Sequence, residues 1–282
     1  MNFSKRLGVM QGRLSPQYLN LIQCFPSNHW YNEFKIANKL NLKLIEWTLD
    51  YKNFYKNPIF LNKEVKKIKY LKKKYKIKIE SLTGDCFMQK PFWKLKNKKF
   101  TKIFIDTIKA CGDLKIKYII IPLVDNGSIK KKNEERKLIN ILLRNINLIS
   151  SNDVCILFET DLTPKKVKKF IDKLPSKYFG INYDSGNSAA LNYDIDEEFK
   201  IYGKNIKNIH IKDRLLKGKT VRLGSGNADF KKLYHNLNKI NYDQNIILQT
   251  ARGKKNKDVE EIKINLNFLK KKLYEKKQSS IY

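Results

Sequence analysis

Acidic residues are scarce in this chain: 27 Asp+Glu stand against 59 Lys+Arg in 282 residues, a formal charge of +32. Arginine is scarce too, at seven of those 59 basic residues. A basic surface attracts phosphate in a salt-dependent, non-specific way. Here, though, the lysines spread along helical faces beside abundant Asn, Ile and Tyr, a mixture typical of an AT-rich genome. Net charge speaks to solubility and loose association rather than to chemistry, so no specific nucleic-acid partner is expected. Long apolar runs are missing as well. The longest, such as Tyr118 to Val124, have strand length and fall far short of the roughly 18 to 20 residues that cross a bilayer. No membrane span is expected. No apolar signal core follows the first residues, which leads to the expectation of a cytosolic protein. Cys24, Cys86, Cys111 and Cys155 lie far apart without C-x-x-C spacing, which removes a zinc knuckle or a disulfide framework and leaves free thiols.

What is present is enough apolar material for a sizeable core. At 41% hydrophobic and 12% aromatic, the chain is not a disordered polybasic segment. Short β-branched runs alternate with longer segments of helical period. Strands are predicted at 7–12, 42–47, 77–83, 117–123, 154–159, 178–183, 206–212 and 245–250, and helices at 31–40, 62–74, 97–114, 133–149, 164–174, 195–202, 228–239 and 259–276. Eight alternations without an internal linker or composition shift imply an α/β protein, a single (β/α)8 TIM barrel over residues 1–282. The lysine-rich stretch from Lys270 reads as a solvated helix end with a short tail.

In such a barrel the reactive groups sit at the carboxyl ends of the strands. The last four strands end as ILFET, NYDSGN, HIKD and IILQT, placing Glu159, Asp184, His210 and Gln249 at the predicted mouth. Two carboxylates, an imidazole and an amide oxygen form a mixed O/N donor set suited to a divalent cation. Metal coordination would also remove the cost of ending an apolar strand such as Cys155 to Phe158 on a buried charge.

Seven segments together resemble the xylose isomerase-like TIM-barrel family of sugar and sugar-phosphate isomerases and epimerases, within the AP endonuclease family 2 superfamily. They are GVMQGRLSP (8–16), IEWTLD (45–50), FETDLTP (158–164), NYDSGNSA (182–189), HIKDR (210–214), LGSGNADF (223–230) and LQTARG (248–253). The resemblance covers nearly the whole chain. It implies that Glu159, Asp184 and His210 hold a divalent ion, Mn²⁺ first, with Mg²⁺, Co²⁺ or Zn²⁺ as alternatives. The fourth ligand of the family is usually a glutamate, where this chain has Gln249. The family's epimerases use two glutamates on opposite faces of the sugar, and an amide cannot accept a proton as a carboxylate does. The resemblance therefore leaves Glu159 as the base, and Gln249 and Lys212 complete the expected catalytic set. Glu46, Asp85, Asp125 and Lys212 remain open as alternative second bases. It also implies a homodimer as an expectation.

Arg13, Arg214, Arg222 and Arg252 all follow predicted strand ends, where a guanidinium fork fits a phosphate or carboxylate. With Glu46 and Asp125 they form the expected substrate-binding set for a small anionic or neutral sugar. The alternative for the arginines is pairing with local acids such as Asp213 and Asp229. Gly224, Ser225 and Gly226 offer backbone N–H groups that could hold a phosphate. Phe25, Trp30, Trp47, Phe87 and Trp93 are candidates for an apolar wall, His29 could approach from the first loop, and His235 reads as structural. A lyase or dehydratase would start with the same proton abstraction. A DNA-repair endonuclease of the superfamily would need more strand-end histidines than the single one here, out of three in the chain.

Overall fold

The parallel strands are apolar almost throughout, as strands covered on both faces must be. The clearest is Tyr118–Leu123, YIIIPL, in which every residue is buried. A computed structural model describes residues 5–18, 21–95 and 97–274. Its barrel strands are β1 (Leu7–Met10), β2 (Leu44–Thr48), β3 (Ser81–Thr83), β4 (Tyr118–Leu123), β5 (Cys155–Thr160), β6 (Phe179–Asp184) and β7 (Ile206–Ile211). A small antiparallel ribbon, β8 (Asp213–Arg214) with β9 (Thr220–Val221), precedes the last barrel strand, β10 (Asn245–Leu248). The eight barrel strands close in the order β1-β10-β7-β6-β5-β4-β3-β2. Every pairing between them is parallel.

Alternation along each strand sorts the side chains. Outward residues such as Ile45, Leu82, Ile119, Ile121, Ile156, Phe158 and Ile209 pack against the helices in one continuous core. Inward residues form two small apolar clusters, Met10 with Leu44 and Ile247, and Tyr118 with Ile120, Cys155 and Leu157. Polar side chains share the interior with them, Glu46, Ser81, Thr83, Asn182, Asn208 and His210 all being buried.

The expected 133–149 helix is two, Lys132–Arg144 and Ile146–Ser151. They break at Asn145, whose side-chain nitrogen bonds the Ile141 carbonyl at 2.8 Å, a competition that makes Asn a poor mid-helix residue. The expected 77–83 strand keeps only Ser81–Thr83 in the ladder, with a single bridge from Leu44 to Lys78. Three mouth insertions went unpredicted: the short helices Asp85–Gln89 and Ser185–Ala190, and the β8–β9 ribbon. The last helix runs Asp258–Tyr274. The end of its expected span and the tail beyond it lie outside the described residues. All four cysteines are buried and free. Among the described residues no helix is long and apolar enough to cross a membrane.

Candidate active site

Glu159, Asp184 and His210 project inward from the ends of β5, β6 and β7. Their ligand atoms all lie within 4.8 Å of one another. Nδ1 of His210 is 2.9 Å from Oε2 of Glu159 and 4.0 Å from Oδ2 of Asp184. The other ring nitrogen, Nε2, faces Oε1 of Glu46 at 2.7 Å. Glu46 also accepts bonds from Ser81, Thr83 and Asn208 at 2.7, 2.7 and 3.0 Å. Asn208 continues to Asn182 at 2.7 Å, and Asn182 donates to Glu159 at 2.9 Å. A buried carboxylate is tolerated only with such partners.

The local charges set distinct protonation tendencies. For Glu159, burial acts to raise the pKa, but the bond and charge of His210, then Lys212 and Asn182, bring it below the ordinary carboxylate value. Asp184 is raised by burial, with Lys212 opposing. Burial would lower the His210 pKa, yet the charge of Glu46 and the bonds to Glu159 and Glu46 lift it to about 10. A metal ion would compete with that proton for the imidazole.

Lys212 tests whether these groups suit a cation. Its ammonium lies 3.3 Å from Oδ2 of Asp184 and 3.2 Å from the amide oxygen of Gln249. Oxygen lone pairs of two candidate ligands thus converge on a point that already holds positive charge. Together with the mixed O/N chemistry of Glu159 and His210, this donor set fits a divalent ion. The Gln249 nitrogen donates to Gln23 at 2.9 Å, and Gln23 donates to Asp85 at 2.6 Å. Asn187 closes the other side, its backbone N–H on Asp184 at 2.8 Å and its amide on Glu159 at 2.7 Å. A hydrogen-bonded belt therefore runs Asp85–Gln23–Gln249–Lys212–Asp184–Asn187–Glu159 around the mouth.

The belt rims a cavity of about 550 Å³ lined by Asp85, Asp125, Glu159, Asp161, Lys212, Arg214, Lys217 and Gln249 among others. Arg214 lines the cavity and bonds Asn187 at 2.8 Å, as well as the Gly218 carbonyl. Asp125 is at the rim, with a left-handed φ of 50°. Acidic side chains are thus as prominent here as basic ones, in a chain of charge +32.

Other expected site residues lie elsewhere. Glu46 lies beneath the site against His210, with no exposure, and does not line the cavity. Arg13 is buried and donates to the carbonyls of Thr250 and Ile22. Arg252 holds the carbonyls of Gly12, Ile22 and Ser15 and the Asp258 carboxylate. Arg222 forks onto Glu261, with both bonds at 2.7 Å, outside the cavity. These three forks are spent on the protein itself. The N–H groups of Gly224 and Gly226, expected for a phosphate, both donate to Asp213 at 2.9 Å, and Ala228 adds a third bond. The aromatics pack together instead of walling the cavity. Trp47 meets Phe25 and Trp30 at ring separations of 5.4 and 5.6 Å, and Phe87 and Trp93 pack on Phe92. His29 precedes the first helix and His235 lies exposed on the Phe230–Lys239 helix, both away from the cavity.

Sequence reasoning missed Gln23, Asn187, Asp161 and Lys217. Asn187 stands within the NYDSGN segment, so its motif was visible although its role was not. The other three sit on loops whose paths no periodicity reveals.

A closed parallel barrel with an acid–acid–imidazole triad at the carboxyl ends of its strands, Glu159 of it lining a cavity, defines the class. The chain belongs to the xylose isomerase-like TIM barrel family, whose model matches residues 34–272. No curated protein matches by sequence. Among solved structures, it is similar to the IolI protein with a binding zinc atom, at 15% identity and TM-score 0.73, over 96% of this chain and 98% of that one. It is also similar to D-psicose 3-epimerase with D-tagatose from Clostridium cellulolyticum H10, at 12% identity and TM-score 0.72, over 93% and 97%. A D-allulose 3-epimerase from Methylomonas sp. in complex with D-allulose gives 14% identity and TM-score 0.73, over 96% and 99%.

Proposed function

We propose that this protein is a divalent-metal-dependent isomerase or epimerase of a small sugar, with Glu159 as the base that removes a proton next to a carbonyl. The observation that carries the reading is the convergence of Glu159, Asp184 and His210 within 4.8 Å of one another, with Glu159 on the cavity lining. Glu159, Asp184 and His210 would hold the ion, with the Gln249 amide oxygen as fourth donor, and a set of this kind suits Mn²⁺. When bound, the ion supplies Lewis-acid polarisation of the substrate carbonyl and its neighbouring hydroxyl. The chain's own residues do the rest. Glu159 stays ionised despite its burial, as a base must. Asn182 and Asn187 fix its two oxygens. Lys212, Arg214 and Lys217 present donors to sugar oxygens along one wall. Asp125 and Asp161 on the lining favour a hydroxyl-rich, weakly charged substrate over a polyanion. The similarity to D-psicose and D-allulose 3-epimerases points to ketohexoses as the first substrates to try.

The test is twofold. Elemental analysis and titration calorimetry should find one Mn²⁺-like ion per chain. Glu159→Gln should abolish exchange of solvent deuterium into a ketohexose. Exchange that persists in this variant rejects Glu159 as the base.

A further inference from the structure

Two carboxyl groups, Asp85 and Glu159, terminate the belt. Asp85 begins the short helix after β3, is 5% exposed, and lines the same cavity as Glu159. Its Oδ2 accepts from Gln23, while among the described residues no donor reaches Oδ1, which is left to the cavity. Gln23 connects it directly to Gln249, the amide that stands where a second acid is missing. Between Asp85 and Glu159 the rim is formed by Pro122, Val124 and Asp125.

We propose that Asp85 is the second proton-transfer group of the reaction, supplying from the end of β3 the carboxyl that Gln249 lacks. This rests on the isomerase or epimerase reading and narrows it to epimerisation. Glu159 takes the proton from the carbon beside the carbonyl. That C–H bond breaks, and its electron pair forms the carbon–carbon double bond of an enediolate as the carbonyl π pair moves onto oxygen. Asp85, as the neutral acid, gives its proton to the other face of the same carbon. A new C–H bond forms, the carbonyl is restored and configuration inverts. Glu159 ends protonated and Asp85 ionised, and exchange with water resets both.

The environments match this division of labour. Burial and then the charge of Asp50 raise the Asp85 pKa to about 7, against a smaller lowering by Gln23. A carboxyl that keeps its proton near neutral pH can act as an acid, which is the role its place on the cavity leaves to Asp85.

The experiment compares wild type, Asp85→Asn and Asp85→Glu, loaded with Mn²⁺, on D-allulose, D-tagatose and D-fructose in heavy water. Asparagine keeps the volume and the acceptor for Gln23 but cannot give a proton. Asp85→Asn should lower kcat for epimer formation by about 100-fold or more, with KM nearly unchanged. Deuterium should still enter the recovered starting sugar, through abstraction and return by Glu159. Asp85→Glu, which keeps the carboxyl, should retain measurable conversion. Epimer formation at the wild-type rate in Asp85→Asn overturns the proposal, as does loss of exchange together with conversion while Mn²⁺ binding is intact. A wild type that exchanges deuterium into none of the three sugars removes the proposed function itself, and the role of Asp85 with it.

Discussion

Nε2 of His210 and Oε1 of Glu46 lie 2.7 Å apart, and neither side chain has any solvent exposure. The contact fixes the imidazole plane and draws a proton to Nε2, so that Nδ1 turns toward Glu159 and Asp184. An acid beneath a ligand histidine raises its basicity and selects its tautomer. Glu46 is thus a positioning residue.

Glu46→Gln keeps an acceptor for His210 but removes the charge. Affinity for Mn²⁺ should fall by about 10–100-fold, the range seen when such outer partners are lost. Titration calorimetry on the metal-free protein measures it. Unchanged affinity would mean that Glu46 serves the fold alone.

Gln249→Glu restores a carboxylate beside the Lys212 ammonium, now 3.2 Å from the amide oxygen. A third acid on the ion should tighten Mn²⁺ binding by about tenfold, or about 1.4 kcal/mol. The same calorimetry reads it. Equal or weaker binding would show that position 249 does not face the ion.

Glu33 holds the loop after β1 by accepting from the N–H groups of Gly12 and Leu14 and the hydroxyl of Ser15. Burial raises its pKa from 4.5 to about 7 against those bonds. Between these values the folded chain keeps a proton that the unfolded chain releases. The stabilisation is therefore complete below the unfolded value and is lost as pH rises to about 7. Glu33→Gln should shrink the fall in unfolding free energy between about pH 4 and pH 8 by about 3 kcal/mol. Urea titrations at the two pH values test this, and an unaltered fall assigns the proton elsewhere.

Gly226 leaves room for Asp213 to receive three backbone N–H groups. A Cβ there would lie 2.3 Å from Oδ1 of Asp213 and 2.6 Å from the Arg214 carbonyl. Gly226→Ala should cost about 1–3 kcal/mol of stability, read as a lower melting temperature. An unchanged midpoint would show that the β8–β9 region is free to yield.

Glu159, Asp184 and His210 could be placed at the mouth because each lies at or next to the carboxyl end of a strand, the end at which a parallel barrel gathers its polar groups. Glu46 was legible as a strand residue but not in its depth. It stands two residues before the end of β2, and strand period gives face, not height. The arginines misled for a different reason. A guanidinium fits the carbonyls of a folded loop as well as it fits a phosphate, and Arg13 and Arg252 are used to tie the segment around Gly12 and Ile22 to the end of the barrel. Asp85 could be named from its place after a strand. Its link to Gln249 passes through Gln23, a residue 62 positions away in sequence that no local pattern singles out.

The belt of side chains is a horseshoe rather than a ring. Its two arms end at Asp85 and Glu159, and the gap between them falls above β4, where the chain turns through Asp125–Gly127 in a single 3-10 turn. Lateral passage for a sugar through the ringed sides requires breaking hydrogen bonds, whereas the β4 side has none of the belt to break.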